Sequence, residues 1–222
     1  MPRDAYDALL GFIRTDQGTP IIHHDDERHP PLVTIARDHG AGGEEIARLL
    51  AKRLGVPCYD KEILDRIVER AEEDASLMRS LDEKVPPREG LFLFAVMLGL
   101  NDPLTKYQKL LTRVLNAIPF GGGVIVGRGA HYVLQSPWVL RVRVVGSEEV
   151  CAKRLGGGDK ALEEVRHVNK LRGRYHKDVF NTDSYAAHHY DLTINTDRFA
   201  SFEAAADLIA QAYAAVAPAK LK

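Results

Sequence analysis

The segment Leu32-Val33-Thr34-Ile35-Ala36, followed by Arg37-Asp38-His39-Gly40-Ala41-Gly42-Gly43 and then Glu44-Glu45-Ile46-Ala47, constrains this chain more than any other. The apolar run Leu32–Ala36 reads as a buried strand. It ends in a turn with glycine at 40, 42 and 43, and the turn opens into a helical pattern with Ile46, Leu49, Leu50 and Leu54 on one side. In such a unit the turn amides and the first N–H groups of the helix point at one spot, which is how a chain builds an anion cradle. Gly40, Ala41, Gly42, Gly43, Glu44 and Glu45 are therefore the candidate phosphate-binding residues. The alternative is a tight strand-to-helix turn with no ligand, but a turn needs one glycine, and close backbone approach to an anion favours several.

The full phosphate-loop pattern is G-x-x-x-x-G-K-[ST]. Registered on Gly42, Arg37 takes the place of its first glycine, Gly43 that of the lysine and Glu44 that of the Ser/Thr. The backbone architecture is kept while the usual charged group is missing. Function turns on whether other side chains fill that gap.

From Leu32 onward short strands alternate with helices, which predicts an α/β fold with a mostly parallel sheet. Residues 55–60 read as a helix stop leading to a short second strand, further strands are read at 122–127, 138–145 and 192–195, and helices at 44–54, 61–73, 76–83, 90–100, 103–118, from Ser147, after Asp159 and at 202–216. Residues 1–31 form an extension. Its first 14 residues suit a short helix with Tyr6, Leu9, Leu10 and Ile13 on one face, and a polar linker follows. The linker's His23-His24-Asp25-Asp26 has no second cluster with metal-ligand spacing, so a solvated linker is the reading. Residues 32–222 make one domain, since 222 residues suffice for one substantial core.

With 30 basic against 31 acidic residues, no global charge marks a nucleic-acid or membrane-surface protein, and a phosphate ligand would need local charge. Two cysteines, Cys58 and Cys151, sit in apolar surroundings without metal or redox spacing, as in a cytoplasmic protein. The longest apolar run, Leu91–Leu100, is too short to span a bilayer. Apolar on nearly all faces, it predicts a helix buried by the domain or by a second copy, with homodimerisation through residues 90–118.

Three further segments carry chemistry. Tyr59-Asp60-Lys61 closes the second strand, and ligands gather at the carboxyl ends of parallel strands. Asp60 is a candidate to orient an acceptor or hold a metal-bound water, and equally a helix cap. Arg66 in the next helix is a candidate for an acceptor phosphate or a solvated arginine. Val124-Ile125-Val126-Gly127-Arg128-Gly129 delivers an arginine between two glycines, and its planar fork matches a phosphate. Finally, Arg166, Lys170 and Arg174 lie at i, i+4 and i+8 on one helix face. A row of mutually repelling charges is understandable beside a polyanion. With no interleaved aromatic platform, nucleotide phosphate is favoured over nucleic acid.

Ile35-Ala36-Arg37, Gly40-Ala41-Gly42-Gly43, Glu45-Ile46-Ala47, Tyr59-Asp60-Lys61, Gly127-Arg128-Gly129, Arg174-Tyr175 and Tyr190–Thr196 together resemble the cytidylate kinase-like family, a divergent branch of the P-loop nucleoside monophosphate kinases. The resemblance runs over residues 32–215 in matching order. It implies a three-layer α/β/α P-loop kinase fold with a five-stranded parallel sheet, a helical acceptor-binding segment at about 61–120 and a mobile lid with its following helix at about 156–178. It also implies ATP, Mg²⁺ and a nucleoside monophosphate, with CMP or dCMP the first acceptors to consider. Two departures stand out. Cytidylate kinases carry the P-loop lysine and Ser/Thr that Gly43 and Glu44 replace here. They also tend to have an aspartate after the third-strand arginine, where this chain has Gly129.

Two functions follow. In the first, the amides of Gly40–Gly43 cradle the donor phosphates of an ATP-dependent kinase, and Arg37, Arg128, Arg166, Lys170 and Arg174 supply the catalytic charge. Arg128 also joins Asp60 and Arg66 in holding the acceptor, and Glu44 and Asp60, with Asp38 behind them, reach Mg²⁺. In the second, Glu44 occupies the anion site itself and the chain is a pseudokinase, a nucleotide-sensing or structural module.

Overall fold

The computed structural model describes residues 5–14, 30–74, 76–77 and 106–216. In chain order the elements are α1 (Ala5–Arg14), β1 (Leu32–Arg37), α2 (Gly43–Leu54), β2 (Cys58–Tyr59), α3 (Lys61–Glu73), α4 (Lys106–Ala117), β3 (Gly123–Val126), α5 (Ala130–Val133), β4 (Val139–Val145), α6 (Glu148–Arg154), α7 (Gly158–Phe180), β5 (Leu192–Asn195) and α8 (Phe202–Val216). The strands and the helices expected at 44–54, 61–73 and 202–216 form nearly as read. The helix expected at 90–100 and the linker histidines lie outside the described residues, as does all but the α4 part of the segment considered for dimerisation.

All five strands are parallel, in the order β2-β3-β1-β4-β5. β1 is central because its residues are apolar on both faces, and a parallel sheet covered by helices on both sides selects such a run. On one face Leu32, Tyr59, Ile125 and Val139 pack with α3 and α4. On the other, Val33, Ile35, Val126, Leu140 and Val142 pack with α2, α8 and the start of α7. The result is the three-layer α/β/α arrangement. α1 belongs to the first core, with Leu9 only 2% and Ile13 only 1% exposed.

Three local features aim the site. Gly42 takes a left-handed conformation at the head of α2, turning the chain from β1 into the helix. Asp60 caps α3 by accepting the Ile63 amide at 3.0 Å, and Ser147 caps α6 by accepting the Val150 amide. The chain leaves β1 toward β2 on one side and later crosses to β4 on the other. The carboxyl end of β1 is thus where the order reverses, the place where open parallel sheets bind ligands. Among the described residues no helix is long and apolar enough to cross a membrane.

Candidate functional site

A cavity of about 320 Å³ opens at the carboxyl ends of β1 and β3, beneath α7. Arg37, Asp38, Lys61, Arg128, Arg143 and Arg172 line it. Five cations against one carboxylate make it a place for an anionic ligand. The glycine turn stands beside it, closely packed within the protein. A Cβ at Gly42 would overlap the Phe202 ring, one at Gly40 would lie 2.7 Å from the Cys151 carbonyl oxygen, and one at Gly43 would meet Arg37 Cβ at 2.5 Å. These glycines are needed by the fold whether or not a ligand is bound. The α2 N-terminus they shape still presents N–H groups that have no acceptor within the helix.

Arg37 leaves β1 and lies across the turn, with its Nε donating to Glu44 Oε1 at 2.8 Å and its guanidinium against Gly127. α7 supplies a second arginine. Arg172 donates to the Arg37 carbonyl at 3.0 Å and to the same Glu44 oxygen at 3.4 Å. Burial pushes the Glu44 carboxyl up, but the charge and hydrogen bond of Arg37, helped by Arg172, leave it below the usual glutamate value. Burial and the neighbouring Arg37 charge pull Arg172 down to about 10. α7 also holds the turn through Asn169, whose Oδ1 accepts the His39 amide at 2.8 Å, and through Glu164, 2.8 Å from His39 Nε2.

On the β3 side, Gly127, Arg128 and Gly129 all have positive φ, and Arg128, at +53°, is a non-glycine residue held there. Its neighbours have no room for a side chain, since a Cβ at Gly127 would strike Arg37 and one at Gly129 the Phe180 ring. The guanidinium reaches Asp65 of α3, whose other oxygen accepts the Tyr107 hydroxyl at 3.2 Å. It also lies 5.9 Å from the Tyr107 ring centre and 5.5 Å from that of Tyr175. Burial works against its charge and the Asp65 hydrogen bond outweighs that, so its pKa is raised. Its Nε is buried without a partner.

Arg143, 8% exposed in β4, donates to Asp38 at 3.1 Å and to the Ser184 carbonyl, with the Tyr185 and Tyr190 rings 4.6 and 5.6 Å away. Asp38 keeps a raised pKa, because burial outweighs Arg143 and Arg172. Behind the cavity, His176 Nδ1 meets the Tyr132 hydroxyl at 3.2 Å, and burial draws this imidazole down to about 4. Gln108 donates to the Val179 carbonyl at 3.0 Å. The C-terminal half of α7 is thereby fastened to α4 and α5.

The other candidates fall outside this cavity. Arg166 and Lys170 lie on the exposed face of α7 and line an adjoining cavity of about 500 Å³, and Arg166 pairs with Glu148 at 2.7 Å. Arg174 is exposed. Asp60 is an exposed cap, and Arg66 lies over the Tyr6 ring of α1 at 4.2 Å. For Mg²⁺, no group of three His, Cys, Asp or Glu side chains among the described residues could hold an ion. Glu44 accepts from two arginines, Asp38 from Arg143 and Asp60 from the Ile63 amide of its own helix.

Arg172, Arg143, Asp65 and Tyr107 are absent from the sequence-derived set. Arg172 had a signal, since it continues the inward stripe of buried Ala161 and Val165 and half-buried Val168. Arg143 had another, a charge inside an apolar strand. Asp65 and Tyr107 had none, because their meeting with Arg128 depends on how α3 and α4 dock.

The profile of the cytidylate kinase-like family matches residues 32–198. A cytidylate kinase of Methanobrevibacter smithii is 22% identical over 171 residues, covering 76% of this chain and 90% of its own. A crystal structure of an uncharacterized protein from Eubacterium ventriosum superposes with a TM-score of 0.61 at 23% identity, over 84% of this chain and 99% of that one. Shikimate kinase from Acinetobacter baumannii, in complex with shikimate, reaches a TM-score of 0.44 at 18% identity, over 86% of this chain and 96% of its own.

Proposed function

We propose that this chain, which belongs to the cytidylate kinase-like family, transfers the terminal phosphoryl group of ATP to a nucleoside monophosphate, CMP or dCMP first, or to a similar small phosphorylated acceptor. The observation that carries the proposal is the cation-rich cavity at the carboxyl ends of β1 and β3, lined by Arg37, Arg128, Arg143 and Arg172 with α7 above it.

Phosphoryl transfer asks little covalent chemistry of a protein and depends on positioning and charge. In this reading the turn amides and the α2 N-terminus hold the donor phosphates. Arg37 and Arg172 supply the positive charge that the missing lysine would give, and each charged hydrogen bond contributes about 1.5–3 kcal/mol. Arg128, steered by Asp65, receives the acceptor phosphate from the β3 side. Arg166, Lys170 and Arg174 stay on the outward face of α7, so the lid charge in this proposal falls to Arg172. An ion accompanying the nucleotide would take most of its oxygens from phosphate and water.

The test is a phosphotransfer assay with ATP and Mg²⁺ against CMP, dCMP and UMP, with Arg128→Ala alongside. Product that vanishes with Arg128→Ala supports the kinase. No product, with no rise in melting temperature on adding ATP, supports the second reading, a pseudokinase. The observation favouring that second reading is Glu44, whose carboxylate already takes the two arginines nearest the turn.

A further inference from the structure

Glu44 is the residue that the kinase reading leaves without a task. It sits in the first turn of α2, where a carboxylate interacts favourably with the helix dipole without any partner. Yet it is reached from both sides, by Arg37 at the end of β1 and by Arg172 from the middle of α7. Two guanidinium groups share a single carboxylate, and the Arg37 charge pulls Arg172 down, so the trio carries one net positive charge. A phosphate bearing up to two negative charges would balance the pair better than Glu44 does. The Glu44 side chain is 41% exposed, so it can swing outward without crossing the core.

Resting on the kinase reading, we propose that Arg37 and Arg172 form the donor-phosphate site, and that the Glu44 carboxylate is its resident anion, displaced when a polyphosphate binds. Glu44 is then an internal competitor and not a metal ligand. Its removal strengthens binding, whereas removal of a Mg²⁺ ligand would weaken it. The contact also ties α7 to the turn while the site is empty of nucleotide, so one exchange of anions both loads the site and frees the helix to settle on the ligand.

The experiment is isothermal titration of the full chain with MgATP and, separately, with metal-free tripolyphosphate, using wild type, Glu44→Gln, Glu44→Ala and Arg172→Ala. Both Glu44 variants should bind each probe at least tenfold more tightly than wild type, and Arg172→Ala should lose binding. Weaker MgATP binding by Glu44→Gln with tripolyphosphate unchanged would overturn the proposal in favour of a metal ligand. Equal binding by wild type and both Glu44 variants would overturn it while leaving the donor site in place. No binding of either probe by any folded protein in the set would remove the proposal and the kinase reading together.

Discussion

Two glycine runs, Gly40 to Gly43 after β1 and Gly156 to Gly158 at the start of α7, look alike in the sequence but are held for different reasons. In the first, every glycine is pressed by a neighbour: Cys151 against Gly40, Phe202 against Gly42 and Arg37 against Gly43. In the second, no atom lies within 4 Å of where a Cβ would stand, while φ is +109°, +76° and +81°. The first run is required by packing and the second only by backbone conformation. The turn is therefore closely packed, whereas the link into α7 has open space around it. Along α7 the contacts also change in kind. Its C-terminal half is fastened by His176, Val179 and Phe180, its start packs into the core through Ala161 and Val165, and it meets the turn through polar contacts from Glu164, Asn169 and Arg172.

The sharpest way to break this contrast is Gly42→Ala. A methyl against the Phe202 ring adds overpacking to a left-handed backbone, and the expected loss is about 3–5 kcal/mol in denaturant unfolding. A loss below about 1 kcal/mol would show that the turn yields. Next is Arg172→Ala, one of the residues through which α7 touches the turn. In the phosphotransfer assay kcat/KM should fall by about 100-fold or more, as when a preorganised charged donor is removed. Arg166→Ala, on the outer face, should fall much less, and equal losses would put the functional face of α7 on the other side.

The fastened half can be probed by pH. The folded pKa of His176 lies at about 4, below its usual 6.5, so the unfolded chain binds more protons between those values. Stability should therefore be fully present above about pH 6.5 and be lost as pH falls toward 4, by about 2–3 kcal/mol from this group. Glu44, with a folded pKa below the usual 4.5, adds loss in the same direction at the acid end of the titration. His176→Asn should flatten the slope between pH 6.5 and 4 in chemical denaturation, and an unchanged slope would assign it to other groups.

The smaller expected effect is Gly157→Ala. At φ +76° and ψ 177° an alanine is strained by about 1–3 kcal/mol but meets no neighbour. Melting should shift modestly, while relaxation-dispersion NMR of α7 amides should change, because the link loses an accessible conformation. A destabilisation as large as that of Gly42→Ala would remove the distinction between the two runs.

Much of the scaffold was legible because its signals are local. The apolar β1, the helix pattern after Gly42 and the cap at Ser147 each depend on a few consecutive residues. The inward stripe Val165, Val168, Arg172 is as periodic as the row Arg166, Lys170, Arg174, but charge alone drew attention to the outward row. The glycines at 127 and 129 read as room for a ligand, whereas the space they leave is filled by Arg37 and Phe180.

By itself the sequence determined that β1 is buried on both faces, that its turn leads into α2, and that the strands alternate with helices in a parallel sheet. These follow from hydrophobic periodicity and from where glycine, serine and aspartate begin or end an element. Only the tertiary structure decided which charges meet. Glu44 with Arg172, Arg128 with Asp65 and Arg143 with Asp38 are separated by 128, 63 and 105 positions along the chain. No local pattern encodes such pairs. Their partnership is set by helix docking over the sheet, and a buried charge takes whichever opposite charge that docking brings within reach.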